Sequence, residues 1–242
     1  MSAALGAVLD LLIEKLHTIR FTHIPDSTRK ILQRNGFLSY FGFLGYADHL
    51  HTTIPYQKLR PSDGRFFSEY VIGPLLNRPE LPSMSEALKQ KMTESIYEIF
   101  VNAQIHSETE YIYTCGQFYP NKQRIEFTIT DIGVGFREKF RRRFSREISA
   151  ELAIRWAVQD RHTTKEDISG GIGLALMREF IHLNNGKLQI VSGNGFYQFD
   201  VSGEQSATLD AEFPGTVVNL QFCTDDARSY ALELEDGTDD IF

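Results

Sequence analysis

Ile125-Glu126-Phe127-Thr128-Ile129-Thr130-Asp131-Ile132-Gly133-Val134-Gly135-Phe136 is the stretch on which the reading of this chain turns. Ile125, Phe127 and Ile129 alternate with Glu126, Thr128 and Thr130, the period of two that marks a half-buried strand. The strand ends in a carboxylate, Asp131, placed to accept a hydrogen bond from an exocyclic amine such as that of adenine. Gly133 and Gly135 then let the backbone come close to a base or ribose. A tight turn asks for the same residues, so the chemistry of this stretch depends on what surrounds it.

Upstream, the prolines of Arg78-Pro79-Glu80-Leu81-Pro82 mark a boundary, and Ser83 or Ser85 can cap a long helix running to about Ser107. Along it Glu98, Asn102 and His106 recur every four residues, which places them in one stripe spaced by about 6 Å. Ile96, Ile99, Phe100 and Ala103 make a separate apolar face suited to packing on a sheet. An amide oxygen and a carboxylate on one stripe suit a hard cation with its waters, and a Glu can orient or deprotonate a water or hydroxyl. The plainer alternative is the solvated face of an amphipathic helix.

Strands are expected at Tyr111 to Phe118, joined to the Ile125 strand by the turn Tyr119-Pro120-Asn121-Lys122, and at Lys187 to Ser192, Phe196 to Val201 and Thr216 to Cys223. A charged helical stretch covers 136–158, a polar loop His162 to Gly171, and a further helix about 172–184. The expected class is α/β, an α+β sandwich: a mixed, largely antiparallel sheet covered by helices on one face. Ser169-Gly170-Gly171-Ile172-Gly173-Leu174 opens the last helix, where free amides form an anion site fit for phosphates. With Leu at 176 the run is not GxGxxG, and no GxxxxGK[ST] occurs, so Rossmann and P-loop designs both fail.

The remainder sets bounds. Within 242 residues, 42% are hydrophobic and 24% charged, which permits one large domain or a smaller domain with an extension. A net charge of -7 disfavours general nucleic-acid binding. Cys115 and Cys223 read as buried free thiols of a reducing cytosol. Leu5, Val8, Leu9, Leu12 and Leu16 predict an amphipathic N-terminal helix. Asp10, Glu14 and Lys15 interrupt it and no basic n-region precedes it, which argues against a signal peptide. No apolar window is long enough for a membrane span, so the chain is expected to be cytoplasmic. Residues 1–82 form an N-terminal extension without recognisable chemistry, 83–224 the main domain, and 225–242 an acidic tail. Arg137, Lys139, Arg141, Arg142, Arg143 and Arg146 give one helix a cationic face opposite Phe136, Phe140 and Phe144. This is read as a solvated lid helix or as a docking face for an acidic partner.

Taken in order, Glu98-x-x-x-Asn102-x-x-x-His106, Asp131-x-Gly133-x-Gly135, Gly171-x-Gly173-Leu174 and Gly215-Thr216 resemble the ATP-binding boxes of the GHKL superfamily, the histidine-kinase-like ATPases of the Bergerat fold. The pattern is closest to stand-alone anti-sigma serine kinases and histidine-kinase ATPase domains. The resemblance covers about residues 84–223 and implies ATP and Mg²⁺ as cofactors. By match to those motifs, Asn102 coordinates Mg²⁺, Asp131 takes the adenine amine, Gly133 and Gly135 shape the base pocket, and Thr216 supports the adenine-binding water network. Gly171, Gly173 and Leu174 meet the phosphates, and Glu98 falls where ATP-cleaving members keep their general base. His106 is a pocket-wall or ribose and phosphate contact. His162-Thr163-Thr164-Lys165 is similar to a Thr-Thr-Lys stretch of some histidine kinases, which would bring Lys165 to the γ-phosphate.

The chain departs from those relatives in two ways. Residues 1–83 show no dimerising hairpin with a phospho-accepting His, and no transducer domain follows the last strand. The expectation is an enzyme, an ATPase or protein kinase that transfers or hydrolyses the γ-phosphate to regulate a separate protein partner. Alternatives are an ATP-gated interaction module with little turnover, or the ATPase subunit of a DNA-processing machine. Membrane contact and direct nucleic-acid binding are not expected, and oligomeric state stays open.

Overall fold

The alternation that begins at Ile125 produces a strand at the middle of a sheet. In chain order the strands are β1 (Thr53–Leu59), β2 (Ser83–Met84), β3 (Ile112–Tyr119), β4 (Arg124–Asp131), β5 (Lys187–Asp200), β6 (Gly203–Cys223) and β7 (Ser229–Tyr230). Five of them form one sheet in the order β1-β3-β4-β6-β5, every neighbouring pair antiparallel, while β2 and β7 make a short parallel pair. The structure is a computed structural model that describes residues 1–106, 109–159 and 172–232.

The helices are α1 (Ser2–Glu14), α2 (Asp26–Arg34), α3 (Gly64–Tyr70), α4 (Glu86–His106), α5 (Phe136–Phe144), α6 (Ala150–Val158) and α7 (Ile172–Leu183). The expected class holds: an antiparallel sheet packed against helices. The long helix starts where a cap was expected, with the Leu88 N–H donating to Ser85 Oγ at 3.2 Å, a contact worth about 1 kcal/mol. Its Ile96, Phe100 and Ala103 are buried and Ile99 partly so, joining Ile125, Phe127 and Ile129 of β4 and Phe180 of α7 in the main core.

Three expectations about the elements change in detail. The 136–158 stretch is two helices, because Ser145 takes a left-handed φ of 49° and ends α5. The break lets Phe140 and Phe144 meet Trp156 of α6 edge-on, at ring-centroid distances of 5.3 and 5.0 Å. The segments 187–192 and 196–201 belong to one strand, β5, irregular between Ser192 and Gly195. The last strand starts at Gly203 rather than Thr216, because residues 203–208 pair with 195–200 as a hairpin arm. The β5 side of that hairpin lies on α6: a Cβ at Gly195 would stand 2.6 Å from the Ala150 carbonyl carbon. Gln205, Ser206, Ala207 and Thr208 are exposed and carry no apolar period, so the arm's partner had to come from the tertiary fold.

β1, inside the N-terminal region, adds an edge to the sheet beside β3. Pro55 sits in it at the irregularity between Ile54 and Gln57, a place where an edge strand tolerates proline. Next to it, α1 is a helix as expected but does not bury its leucine stripe. It buries Ala3, Gly6 and Ala7 and leaves Leu5 and Leu16 exposed. A Cβ at Gly6 would fall 2.1 Å from the Tyr56 hydroxyl oxygen, so only the small-residue side of the helix can approach this closely. With Phe37, Leu38, Tyr56, Tyr113 and Cys115 these residues form a second core. Tyr113 and Cys115 alternate with Ile112 of the main core, which puts the second core on the opposite face of the sheet.

Cys115 is buried and free as expected; Cys223 is free but half-buried. Residues just after the last strand are anchored: Asp226 accepts hydrogen bonds from Asn184 Nδ2 at 2.8 Å and the Tyr230 hydroxyl at 2.7 Å. The acidic residues from 233 onward lie outside the described residues. Among the described residues, no helix is long and apolar enough to cross a membrane.

Candidate functional site

On the helix-covered face of the sheet, three adjacent strands exchange their apolar alternation for a polar residue at the same level. β4 runs Ile125, Phe127, Ile129 and then Asp131; β5 runs Leu188, Ile190 and then Ser192; β6 begins its apolar series Val218, Leu220, Phe222 after Thr216. These three are register partners, Asp131 opposite Thr216 and Thr216 opposite Ser192. The result is a row of a carboxylate and two hydroxyls at one end of the core, all three buried.

The row is knitted together. Ser192 Oγ and Thr216 Oγ1 stand 3.2 Å apart, the Phe136 N–H donates to Ser192 Oγ at 3.0 Å, and Thr130 Oγ1 donates to the Thr216 carbonyl at 2.8 Å. These bonds tie the loop after β4 to β5 and β6. Gly135 has no room for a side chain: a Cβ would lie 2.6 Å from Ser192 Oγ. Gly215 is tighter still, with a Cβ only 2.0 Å from the Asp131 carbonyl oxygen. Gly135 is therefore demanded by the contact between loop and strand, a reason beyond the close approach of a ligand.

Asp131 is the feature without an internal explanation. It is 4% exposed, and its Oδ1 has no hydrogen-bond partner among the described residues. Burial raises its carboxyl to about 7, against the opposing pull of the Lys139 ammonium and the Gly133 backbone N–H. A buried carboxylate oxygen without a donor costs several times what a satisfied one does. Such an atom marks a place where a donor from outside belongs.

The two halves of the expected site meet through a residue that sequence reasoning left on the solvent side. Lys139, in the first turns of α5, turns inward, and its Nζ donates to the backbone carbonyl of Asn102 in α4 at 3.4 Å. Asp131 acts on the same ammonium through space. Asn102 and Asp131, predicted from separate motifs, thus flank one lysine. Glu98 lies one turn before Asn102, both half-buried on α4. Gly173 and Leu174 lie in the first turn of α7, which packs along α4. His106 is the last residue of α4, but its side chain is outside the described residues, as are Gly171 and Lys165 altogether.

Two residues were missed. Ser192 was legible in principle, as the polar end of the Leu188, Ile190 alternation. Lys139 was hidden in a run of cations. In the fold, its neighbour Glu138 accepts bonds from Arg141 and Arg142 on the outside of α5, while Phe136 packs against the main core. The inward turn of Lys139 follows from its place on the Phe136 side of the helix, with Nζ 5.4 Å from that ring's centroid.

The residues fit an adenine nucleotide. The donor-less Oδ1 of Asp131 matches an exocyclic amine, the Ser192 and Thr216 hydroxyls offer further polar contacts beside it, and Gly135 and Gly215 admit no side chain there. For a magnesium ion the chain could supply an amide oxygen from Asn102, with waters and phosphate oxygens completing the donor set that Mg²⁺ prefers over an all-protein cage. No protein-family model matches this chain, and no curated protein matches it in sequence.

Proposed function

We propose that this chain is a Mg-ATP-binding protein of the histidine-kinase-like design, which transfers or hydrolyses the γ-phosphate to regulate a separate protein partner in the cytoplasm. The observation that carries the nucleotide reading is the buried Asp131 carboxylate with an oxygen that nothing among the described residues serves. It stands where the resemblance puts the adenine-binding acid, in line with Thr216 and bounded by Gly135 and Gly215.

When bound, the nucleotide supplies a transferable phosphoryl group and Mg²⁺ neutralises its charge. The chain's own residues then divide the work. Asp131 accepts the base amine, and Gly133 holds that carboxylate by its N–H. Ser192 and Thr216 fix the loop and offer hydroxyls at the base edge. Asn102 presents its amide oxygen to the ion. Glu98, one helical turn away, orients or accepts the proton of the attacking water or hydroxyl. Gly173 and Leu174 lie at the start of α7, a helix end where backbone amides favour anions. Lys165 and His106 belong to this proposal by motif alone.

Calorimetry with ATP and ADP, in magnesium and in EDTA, tests the binding claim: magnesium-dependent uptake by the wild type that Asp131→Ala abolishes is expected. Absence of any adenine-nucleotide binding overturns it. Following γ-labelled ATP then separates the chemistries, with free phosphate marking an ATPase and a labelled second protein a kinase.

A further inference from the structure

Lys139 presents a problem that the reading above does not solve. Lysine is seldom buried without a partner, since an ammonium withdrawn from water loses several kcal/mol of solvation. Lys139 is half-buried; withdrawal of its ammonium from water is the larger influence on it, and the Asp131 charge is the opposing one. Its direct hydrogen bond, to the Asn102 carbonyl, is long at 3.4 Å. An ammonium carries three donors in total, so among the described residues this bond leaves donors open to a further acceptor. Its ammonium stands 5.4 Å from the ring centroid of Phe136, which packs against the main core.

Its position is as informative as its burden. On one side is the strand-end acid assigned to the base; on the other is the helix α4 position assigned to the ion. A nucleotide with its base at Asp131 and its metal at Asn102 must run its ribose and first phosphates through the space between them, and that space is where the Lys139 ammonium stands. An anion there completes the hydrogen bonds of the ammonium with oxygen acceptors, and charge-assisted bonds of this kind are roughly twice as strong as neutral ones. The neighbouring cations are less available: Arg141 and Arg142 are engaged with Glu138, and Arg137 with Glu212.

We infer that Lys139 is a phosphate-binding residue of the nucleotide site, contacting the α- or β-phosphate from α5 and supplying a fixed cation between the base pocket and the metal. This rests on the nucleotide reading, and it adds a specificity determinant. The site discriminates nucleotides from nucleosides through Lys139, and does so even without magnesium.

The test is a comparison of adenosine, AMP and ADP binding to the full chain, by calorimetry in EDTA and again in magnesium. The proteins are the wild type, Lys139→Met and Lys139→Arg. Lys139→Met should weaken AMP and ADP about tenfold or more, leave adenosine within about twofold, and so flatten the preference for phosphorylated ligands. Lys139→Arg, which keeps the charge, should retain most of that preference. If Lys139→Met weakens adenosine and ADP alike, Lys139 only anchors α5 and the inference is wrong. If neither affinity changes, the inference is also wrong while the nucleotide reading survives. If the wild type binds none of the three ligands, both fall together.

Discussion

Replacing Asp131 by Asn should make the empty protein more stable at pH 8 and at the same time destroy its capacity to hold adenine. The argument begins with the shift of the carboxyl from 3.8 to about 7 in the fold. A raised carboxyl means that the native state binds its proton more tightly than the unfolded chain. Between about pH 4 and pH 7 the unfolded carboxylate is ionised while the native one is still protonated, so stability falls as pH climbs through this window and levels off above it. The full difference corresponds to roughly 4 kcal/mol of penalty at pH 8. Asn is neutral at every pH and nearly isosteric, so it escapes that penalty. It also weakens the bond from the Gly133 N–H, a loss of about 1 kcal/mol. The net expectation is a gain of about 2–3 kcal/mol at pH 8 and no gain, or a loss of about 1 kcal/mol, at pH 4 to 5. Urea denaturation of wild type and Asp131→Asn at both pH values measures this directly, with calorimetry for adenine nucleotides alongside. A variant less stable than wild type at pH 8, or one whose advantage is the same at both pH values, refutes the claim that Asp131 is a buried charge held for a ligand.

Other expectations follow from the same geometry. Glu98→Ala should cut turnover by about 10²-fold or more while ATP affinity stays within a few-fold; single-turnover kinetics beside calorimetry checks this, and unchanged turnover removes Glu98 from the chemistry. Gly215→Ala would place a Cβ 2.0 Å from the Asp131 carbonyl oxygen. Parting β4 from β6 should cost at least 1–3 kcal/mol, and an unchanged thermal midpoint would contradict the close packing. Asp226 behaves oppositely to Asp131: its bonds from Arg228, Tyr230 and Asn184 outweigh burial and hold its carboxyl down at about 2. Its contribution is therefore complete above about pH 4 and lost as pH falls toward 2. Asp226→Ala should cost about 2–3 kcal/mol at pH 7 in urea denaturation, a difference that shrinks in acid.

Much of the main core was legible because it obeys local periods. The i, i+3, i+4, i+7 spacing of Ile96, Ile99, Phe100 and Ala103, and the alternation of Ile125, Phe127 and Ile129, each describe one face of one element. Burial then followed those faces. The same alternation carried Asp131 to the end of its strand, on the core side, without reference to anything distant. What stayed hidden depended on partners far along the chain. β1 carries a proline and no clean alternation, and it is a strand because the β3 edge was available to it. Residues 203–208 are a strand because β5 extends beyond the sheet to meet them.

For the site, sequence alone determined which residues have the chemistry of base, metal and phosphate recognition, since side-chain type and spacing within a helix or strand are local properties. Only the tertiary structure decided that Asp131, Thr216 and Ser192 stand in one row, because register joins residues that are up to 85 positions apart, from Asp131 to Thr216. It also decided that Lys139 turns inward while its basic neighbours do not. Charge cannot predict that direction. The packing of Phe136 sets the rotation of α5, and that rotation brings one cation between Asn102 and Asp131.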